Sequence, residues 1–310
     1  MTTFNPPERL FVRQVESLLG QSYTNWTCLV QDDHSGDDAF AMIRKMLGDD
    51  GRFTLQRNNS TMGFYKNYER VLSRVPGDAE MVGLCDQDDE WFRHKLSRLV
   101  EAFDTLDVTL AHCDLAVTDE YEGVFADSFI GGREHPLRLE SHFFTNTIPG
   151  AACMFRASLL SKILPFPTPR GVVYHDWWIV LVALAAGNIR FVDEVLQDYV
   201  QHDSNAVGWR HTPRAISGPR ILLSPSYRSE LLRIVRNMRD EGCAHLADAI
   251  RILCERVPNS RHQTELIRLQ GLLEHPRRTL LMQYLRAVRS GEGSRRQRNL
   301  LLAQVLGRSR

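Results

Sequence analysis

The chain has 310 residues, 43% of them hydrophobic and 25% charged, a soluble composition long enough for one large α/β domain and an appendage. Lysine plus arginine and aspartate plus glutamate are equal at 38 each, so no field of one sign covers the molecule and no nucleic-acid partner is expected. The six cysteines show neither CxxC spacing nor histidines at metal-finger distances and mostly sit in apolar runs, the pattern of buried free thiols in a reducing cytosol. No apolar run reaches the roughly 18–20 residues of a membrane span, and no leader pattern opens the sequence, so the expected location is cytoplasmic.

In chain order, PPERLFVRQVESLLGQ begins with prolines, sets Leu10, Val15, Leu18 and Leu19 on one helical side and stops at Gly20, which predicts a helix. WTCLVQDD reads as a strand running into acid, DDAFAMIRKML as a second helix and RFTLQRN as a second strand. After STMG come the helix FYKNYERVLSRV and the short apolar strand MVGL. Alternation of this kind predicts a mixed, mainly parallel sheet with helices on both faces. In such sheets ligands bind beyond the carboxyl ends of the strands, and the acidic clusters QDDHS and CDQDDEW both fall at that edge.

VTLAHCD and GAACMFR follow as strands, HDWWIVLVALAAG as a buried helix, and IRFVDEVLQDYVQH as a strand with an extension. After about Gly208 the pattern turns to amphipathic helices, so the expected organisation is an α/β domain over residues 1–210 and a helical extension over 211–310. From Pro276 to Arg310 the chain is arginine-rich, with Glu292 its only carboxylate side chain. Its segments RRTLLMQYLRAVR and RRQRNLLLAQVLGR interleave basic and leucine-rich positions. They read either as helices lying on an anionic membrane surface or as a solvated pair docked on the domain.

The stretch LCDQDDEW places Asp86, Asp88 and Asp89 within one turn of chain after an apolar strand. Carboxylates this close repel and raise one another's pKa, so the cluster needs open water or a cation. A hard divalent ion, Mg²⁺ or Mn²⁺, takes carboxylate oxygens and shares its other positions with phosphates, which makes Asp86-Gln87-Asp88 a candidate clamp for a metal diphosphate.

The ordered set TFNPPERL, QSYTNW, LVQDDHSGDD, NNSTMGFYKN, CDQDDEWFRHKL, PGAACMFR, VYHDWW and DYVQHDSNAVG, over about residues 2–208, resembles the family 2 glycosyltransferases of GT-A fold, in particular their bacterial rhamnosyltransferase-like members. The resemblance implies a dTDP- or UDP-sugar donor, with rhamnose as the sugar, and a glycan or lipid-linked acceptor in surface polysaccharide synthesis. By position, Thr3 and Asn5 belong to the first nucleotide-contacting turn and Asp33 accepts from the pyrimidine N3–H. Lys66 faces the nucleotide or its diphosphate, Asp86 holds ribose or metal, Asp88 is the main metal ligand, and His202 lies near the metal or diphosphate. For Asp32 a part in the site and plain support of its turn are alternatives, as for Asp89 are a part in the acidic cluster and a cap on the next helix.

Inverting transfer needs a group that takes the acceptor hydroxyl's proton, and Asp176 of YHDWW is the candidate base, with a helix N-cap as its alternative role. His175 departs from the Glu that many relatives carry before this Asp. Trp177 and Trp178 are expected to offer flat faces to sugars, with one of the two a core residue instead. The family also carries a strand of about five apolar residues before the TFN turn. Here that first strand is expected to be truncated, for which a start placed downstream of the true one is the favoured account. A sugar-nucleotide hydrolase or nucleotidyltransferase, and a non-catalytic nucleotide-binding remnant, are the alternatives to transfer.

Overall fold

The computed structural model of the chain describes residues 1–130, 137–144, 146, 148–168, 174–202 and 243–274. The first part alternates as the pattern requires: β1 (Thr2–Thr3), α1 (Glu8–Leu19), β2 (Cys28–Asp32), α2 (Asp37–Leu47), β3 (Phe53–Arg57), α3 (Phe64–Leu72) and β4 (Met81–Gly83). Alternation along β2 sends Cys28 and Val30 into an apolar cluster with Phe11, Val15 and Leu18 of α1 and Ile43 and Leu47 of α2. Gln31 turns to the opposite face, where it donates to Asn58 Oδ1 at 2.9 Å and accepts from Arg74 Nη1 at 2.7 Å. One face of this sheet is therefore oily and the α3 face is a hydrogen-bonded polar layer. On α1 the buried stripe is Leu10, Phe11, Gln14, Val15 and Leu18, and Leu19 lies outside it at 40% exposure.

Strands β1, β2 and β3 pair in parallel in that order. A second sheet runs β4-β8-β6-β9-β5, with β5 at Glu90–Trp91, β6 at Val108–Asp119, β8 at Cys153–Arg156 and β9 at Asn188–Gln201, and with β7 (Val124–Ala126) paired to β6. β6 and β9 run parallel, whereas β4–β8, β6–β8, β6–β7 and β5–β9 are antiparallel. β6 is buried along almost its whole length, as expected for a strand covered on both faces. α4 (Lys95–Glu101), α6 (Leu160–Ile163) and α7 (His175–Ala186) complete this part.

The first strand is short: β1 spans two residues, with the Met1 ammonium donating to Leu29 O at 2.8 Å. β4 pairs with β8 and not with β1, so among the described residues the two sheets share no ladder. The Gln87 side chain crosses between them instead. Its Oε1 accepts from Phe4 N at 2.8 Å and its Nε2 donates to Phe4 O at 3.4 Å, as a neighbouring backbone would.

The chain divides into two compact units, one comprising Met1–Pro136, Ile148–Phe166 and Tyr174–His211, the other Leu137–Thr147, Pro167–Val173 and Thr212–Arg310. In the second unit α8 (Cys243–Arg256) and α9 (Gln263–Glu274) pack together through Ile250, Leu253, Leu266 and Leu269, all within 1% of full burial, and α9 also meets α5 (Leu139–Phe144). The arginine-rich tail lies outside the described residues. Among those described, no helix is long and apolar enough to cross a membrane. Cys28, Cys85, Cys113 and Cys153 are buried free thiols, and Cys254 is a half-buried one.

Candidate active site

The carboxyl ends of β1 and β2 deliver a turn whose polar side chains bind one another. Thr3 Oγ1 donates to Asp32 Oδ1 at 3.1 Å, and Asp32 Oδ2 accepts from Ser35 N at 2.9 Å, so the fully buried Asp32 shapes the loop. Asn5 sits at φ 42°, a left-handed conformation that asparagine tolerates. Its Oδ1 accepts from Gly36 N at 2.9 Å. Asp33, 3% exposed, accepts from Asn58 Nδ2 at 2.8 Å, Met62 N at 2.9 Å and Gly63 N at 2.8 Å. It thereby anchors the loop entering α3, and these three bonds leave about one of its four lone-pair sites for a ligand. Lys66 Nζ donates to Glu69 Oε2 at 2.5 Å at the rim of a 760 Å³ groove lined also by Arg70, Arg74, Met62 and Pro165.

The second acidic turn answers the charge question in two directions. Toward solvent, Asp88 Oδ2 lies 2.8 Å from His202 Nε2, their side chains 15% and 5% exposed, although 114 positions separate them in sequence. Toward the core, Lys95 is fully buried beneath the cluster, donating to Ala151 O at 2.5 Å and to Gln197 Oε1, with Nζ 3.8 Å from the Trp91 ring centroid. Gln197 Nε2 in turn donates to Asp89 Oδ2 at 3.3 Å. Asp89, 1% exposed, also accepts from Val200 N at 3.3 Å, a role inside the sheet rather than at the start of α4. Burial first, and Asp86 and Asp88 next, push its carboxyl well above the usual range. Burial likewise pulls the Lys95 ammonium down.

Asp86 accepts from the Tyr68 hydroxyl at 2.6 Å. Burial, followed by repulsion from Asp88, raises its pKa to about 6, and the Tyr68 hydrogen bond works against that rise because it favours the charged form. Tyr68→Phe should therefore move the Asp86 ionisation above about 6, read from its carboxyl ¹³C shift between about pH 4 and about pH 8. A midpoint at or below the wild-type value would show that this hydrogen bond does not hold the charge.

At the start of α7, Asp176 lies in the first turn, with Tyr174 at the capping position. Its carboxylate accepts from Gly150 N at 3.1 Å and Trp177 N at 2.8 Å. Gly150 is closely packed: a Cβ there would stand 3.1 Å from Asp176 Cβ and 3.2 Å from His175 Nε2, so those side chains would have to shift to admit it. The glycine of PGAACMFR is thus a close-approach position that seats the start of α7. His175 stacks on Tyr68 with ring centroids 3.6 Å apart, which links the α7 start to Asp86 through one aromatic ring. The tryptophans do not fulfil the sequence expectation. Trp177 and Trp178 are 7% and 0% exposed, and Trp178 Nε1 donates to Ile163 O at 2.9 Å. α7 is apolar around its whole circumference and so is covered on every side, leaving neither ring a free face for sugar.

Residues 1–164, more than half of the chain, match the profile described as Glycosyl transferase family 2. The chain belongs to that family. Over 205 residues this family 2 transferase is 24% identical to an uncharacterized glycosyltransferase of Nostoc sp., covering 64% of this chain and 62% of that protein. Over 114 residues it is 28% identical to the UDP-Glc:alpha-D-GlcNAc-diphosphoundecaprenol beta-1,3-glucosyltransferase WfaP of Escherichia coli, covering 36% and 44%. Each alignment thus spans less than two thirds of the curated relative's own length.

Two solved structures share the fold. The first is S. aureus TarS 1-349 in complex with UDP-GlcNAc, with a TM-score of 0.52, 16% identity, and coverage of 98% of this chain and 88% of that one. The second is the mannosyltransferase PcManGT of Pyrobaculum calidifontis in complex with GDP-Man and Mn²⁺, with a TM-score of 0.50, 15% identity, and coverage of 97% and 76%. The transferase therefore has the GT-A fold.

Among the described residues of the transferase, no three His, Cys, Asp or Glu side chains gather into a metal-holding group. The paired Asp88 and His202 still fit a divalent cation, because such an ion is commonly held by one or two protein groups and completed by substrate phosphate oxygens and water. Asp86, close enough to Asp88 to feel its charge, is engaged by the Tyr68 hydroxyl. Sequence reasoning missed Tyr68, Gln87 and Lys95 as parts of the site. Gln87 and Lys95 lie inside stretches that carry the family resemblance and Tyr68 directly follows one, but nothing in the residue pattern marks an interior lysine or a bridging amide.

Proposed function

We propose that this chain is an inverting, metal-dependent glycosyltransferase that moves a sugar from a pyrimidine nucleotide diphosphate to a glycan or lipid-linked acceptor in surface polysaccharide synthesis. The observation that carries the reading is the meeting of Asp88 and His202 at 2.8 Å at the strand ends, tied through Gln87 to the Thr3–Asn5 turn. Asp33 offers its remaining lone pair to the base N3–H, while the Thr3–Asn5 turn, Lys66 and Asp86 flank ribose and diphosphate. Asp88 and His202 hold Mg²⁺ or Mn²⁺, which neutralises charge on the departing diphosphate. Asp176 accepts the acceptor hydroxyl's proton as that oxygen bonds to the anomeric carbon and the bond to the diphosphate oxygen breaks.

UDP- and dTDP-sugars are both suitable donors for a site that reads N3–H, and the motif resemblance points to rhamnose as the sugar. Residues 1–210 form the catalytic domain in this reading. The extension over 211–310 holds the enzyme by its basic tail against an anionic cytoplasmic leaflet, where lipid-linked acceptors reside. Calorimetric titration of UDP and dTDP tests the diphosphate clamp. Mn²⁺ should tighten binding to the wild type by about tenfold or more, and Asp88→Ala should abolish that gain. Equal affinity with and without metal in the wild type would remove the clamp, and with it the reading.

A further inference from the structure

A charge problem of a different kind lies along α3, wholly inside unit 1. The helix buries Tyr65, Asn67, Tyr68, Val71 and Leu72, while Lys66, Arg70 and, just past its end, Arg74 follow at four-residue spacing and line the 760 Å³ groove. Like charges four residues apart repel. The one carboxylate lining the groove, Glu69, is already committed: Oε2 accepts from Lys66 Nζ at 2.5 Å and Oε1 from Phe166 N at 2.7 Å. Arg70 is exposed, and among the described residues no carboxylate pairs with it or with Arg74.

The end of the helix does not account for these two guanidiniums. Cations collect at helix C-termini because the last carbonyls lack donors and carry partial negative charge. Here Ser73 N donates to Glu69 O at 3.0 Å, Arg74 N to Val71 O at 3.1 Å and Ser73 Oγ to Arg70 O at 2.7 Å. Those carbonyls need no side-chain cation. Arg74 instead turns Nη1 to Gln31 Oε1 at 2.7 Å, and Gln31 is itself held by Asn58 at 2.9 Å, so this guanidinium is positioned in advance with its other N–H groups left for a ligand. Burial first, and the Arg70 charge next, pull Arg74 below its ordinary pKa. An anion would relieve that repulsion.

The geometry also indicates which anion. Two arginines in one concavity, one fixed and one exposed, suit a phosphate, whose oxygens match the planar donor fork of a guanidinium better than they match an ammonium. Phosphate alone would leave most of the 760 Å³ empty, and Met62, Leu164 and Pro165 make much of the remaining wall apolar. We propose that the α3 groove binds a phosphate ester with an apolar organic part, its phosphate held between Arg70 and Arg74 and its organic part lying against Leu164, Pro165 and Met62. The site goes beyond the transfer reading, because a chain without transferase activity would still bind there. It touches the proposed donor site only at Lys66.

The test is calorimetric titration of the full chain with inorganic phosphate and with hexyl phosphate, with and without UDP and Mn²⁺. Hexyl phosphate should bind at about 1 mM or tighter, more tightly than inorganic phosphate, and should still bind when UDP is present. Arg70→Gln removes an exposed charge without disturbing the core, and should weaken hexyl phosphate by about tenfold while leaving UDP affinity unchanged. Arg70→Lys, which keeps the charge and loses the fork, should recover part of that loss. Displacement of hexyl phosphate by UDP, or a parallel loss of UDP affinity in Arg70→Gln, would put these arginines in the nucleotide site and overturn a separate groove.

Vesicles of phosphatidylcholine, alone or with about 20% phosphatidylglycerol, separate the two sources of such a phosphate. A loss of affinity for the anionic vesicles in Arg70→Gln, alongside the hexyl phosphate loss, assigns the groove to a lipid headgroup. Unchanged vesicle affinity with weakened hexyl phosphate assigns it to a soluble phosphate ester. Wild type and Arg70→Gln alike in both assays would overturn the proposal.

Discussion

Asp176→Asn is expected to lower sugar transfer by about 10³-fold while leaving UDP binding unchanged, the size of effect a positioned general base supplies. The substitution is nearly isosteric, and the Asp176 carboxylate is placed by backbone donors, Gly150 N at 3.1 Å and Trp177 N at 2.8 Å. Asparagine keeps an acceptor oxygen for one of those donors, turns an amide NH₂ toward the other, and cannot take up a proton from an attacking hydroxyl. Stability should fall by about 1–3 kcal/mol, because one backbone N–H loses its acceptor. Transfer within about tenfold of wild type would reduce Asp176 to a support for the first turn of α7 and end its assignment as base.

The second large effect concerns stability. Lys95→Met keeps most of the side-chain volume but leaves Ala151 O and Gln197 Oε1 without their buried donor and removes the cation under Asp89. Breaking one side of such an arrangement costs about 3 kcal/mol, which urea unfolding followed by tryptophan fluorescence would read as a lower midpoint. If compensation of the acidic turn is the cause, the same change made in an Asp89→Asn background should cost less by about 1 kcal/mol or more. Fully additive losses would mean that Lys95 acts through its carbonyl contacts and its place over Trp91 alone.

Much of the frame was legible before any coordinates. The ends of α1, β2, α2, β3, α3 and α7 follow from local signals that depend on a few neighbouring residues: prolines and Gly20 around α1, the acid that closes β2, and period-3.6 and period-2 burial. The acidic turns at the strand ends were legible for the same reason, since strand direction and turn position place them together. A mixed sheet was expected, but which strands of the second sheet pair antiparallel was not legible, because register between distant strands depends on which faces meet.

Within the candidate site, Asp33, Asp86, Asp88, Asp176 and His202 were named from the motifs that carry the family resemblance. Which way each side chain faces came only from packing. α7 carries two tryptophans beside Asp176, and its all-round apolar pattern marks a buried helix without saying which of its rings the neighbouring segments cover. The fold makes Trp177 and Trp178 core residues and leaves Phe64 and Tyr174 at the surface near His175. Likewise, Asp88 and Asp89 are adjacent in sequence and meet opposite environments, one paired with His202 and the other held by Gln197 above a buried lysine. The sequence by itself determined the family, the alternation of elements and the chemistry available at the strand ends, because those are written in local spacing. The tertiary structure alone decided which charges are neutralised from within, which rings face solvent and which nitrogens lack partners, because burial is a property of contacts between segments far apart in the chain.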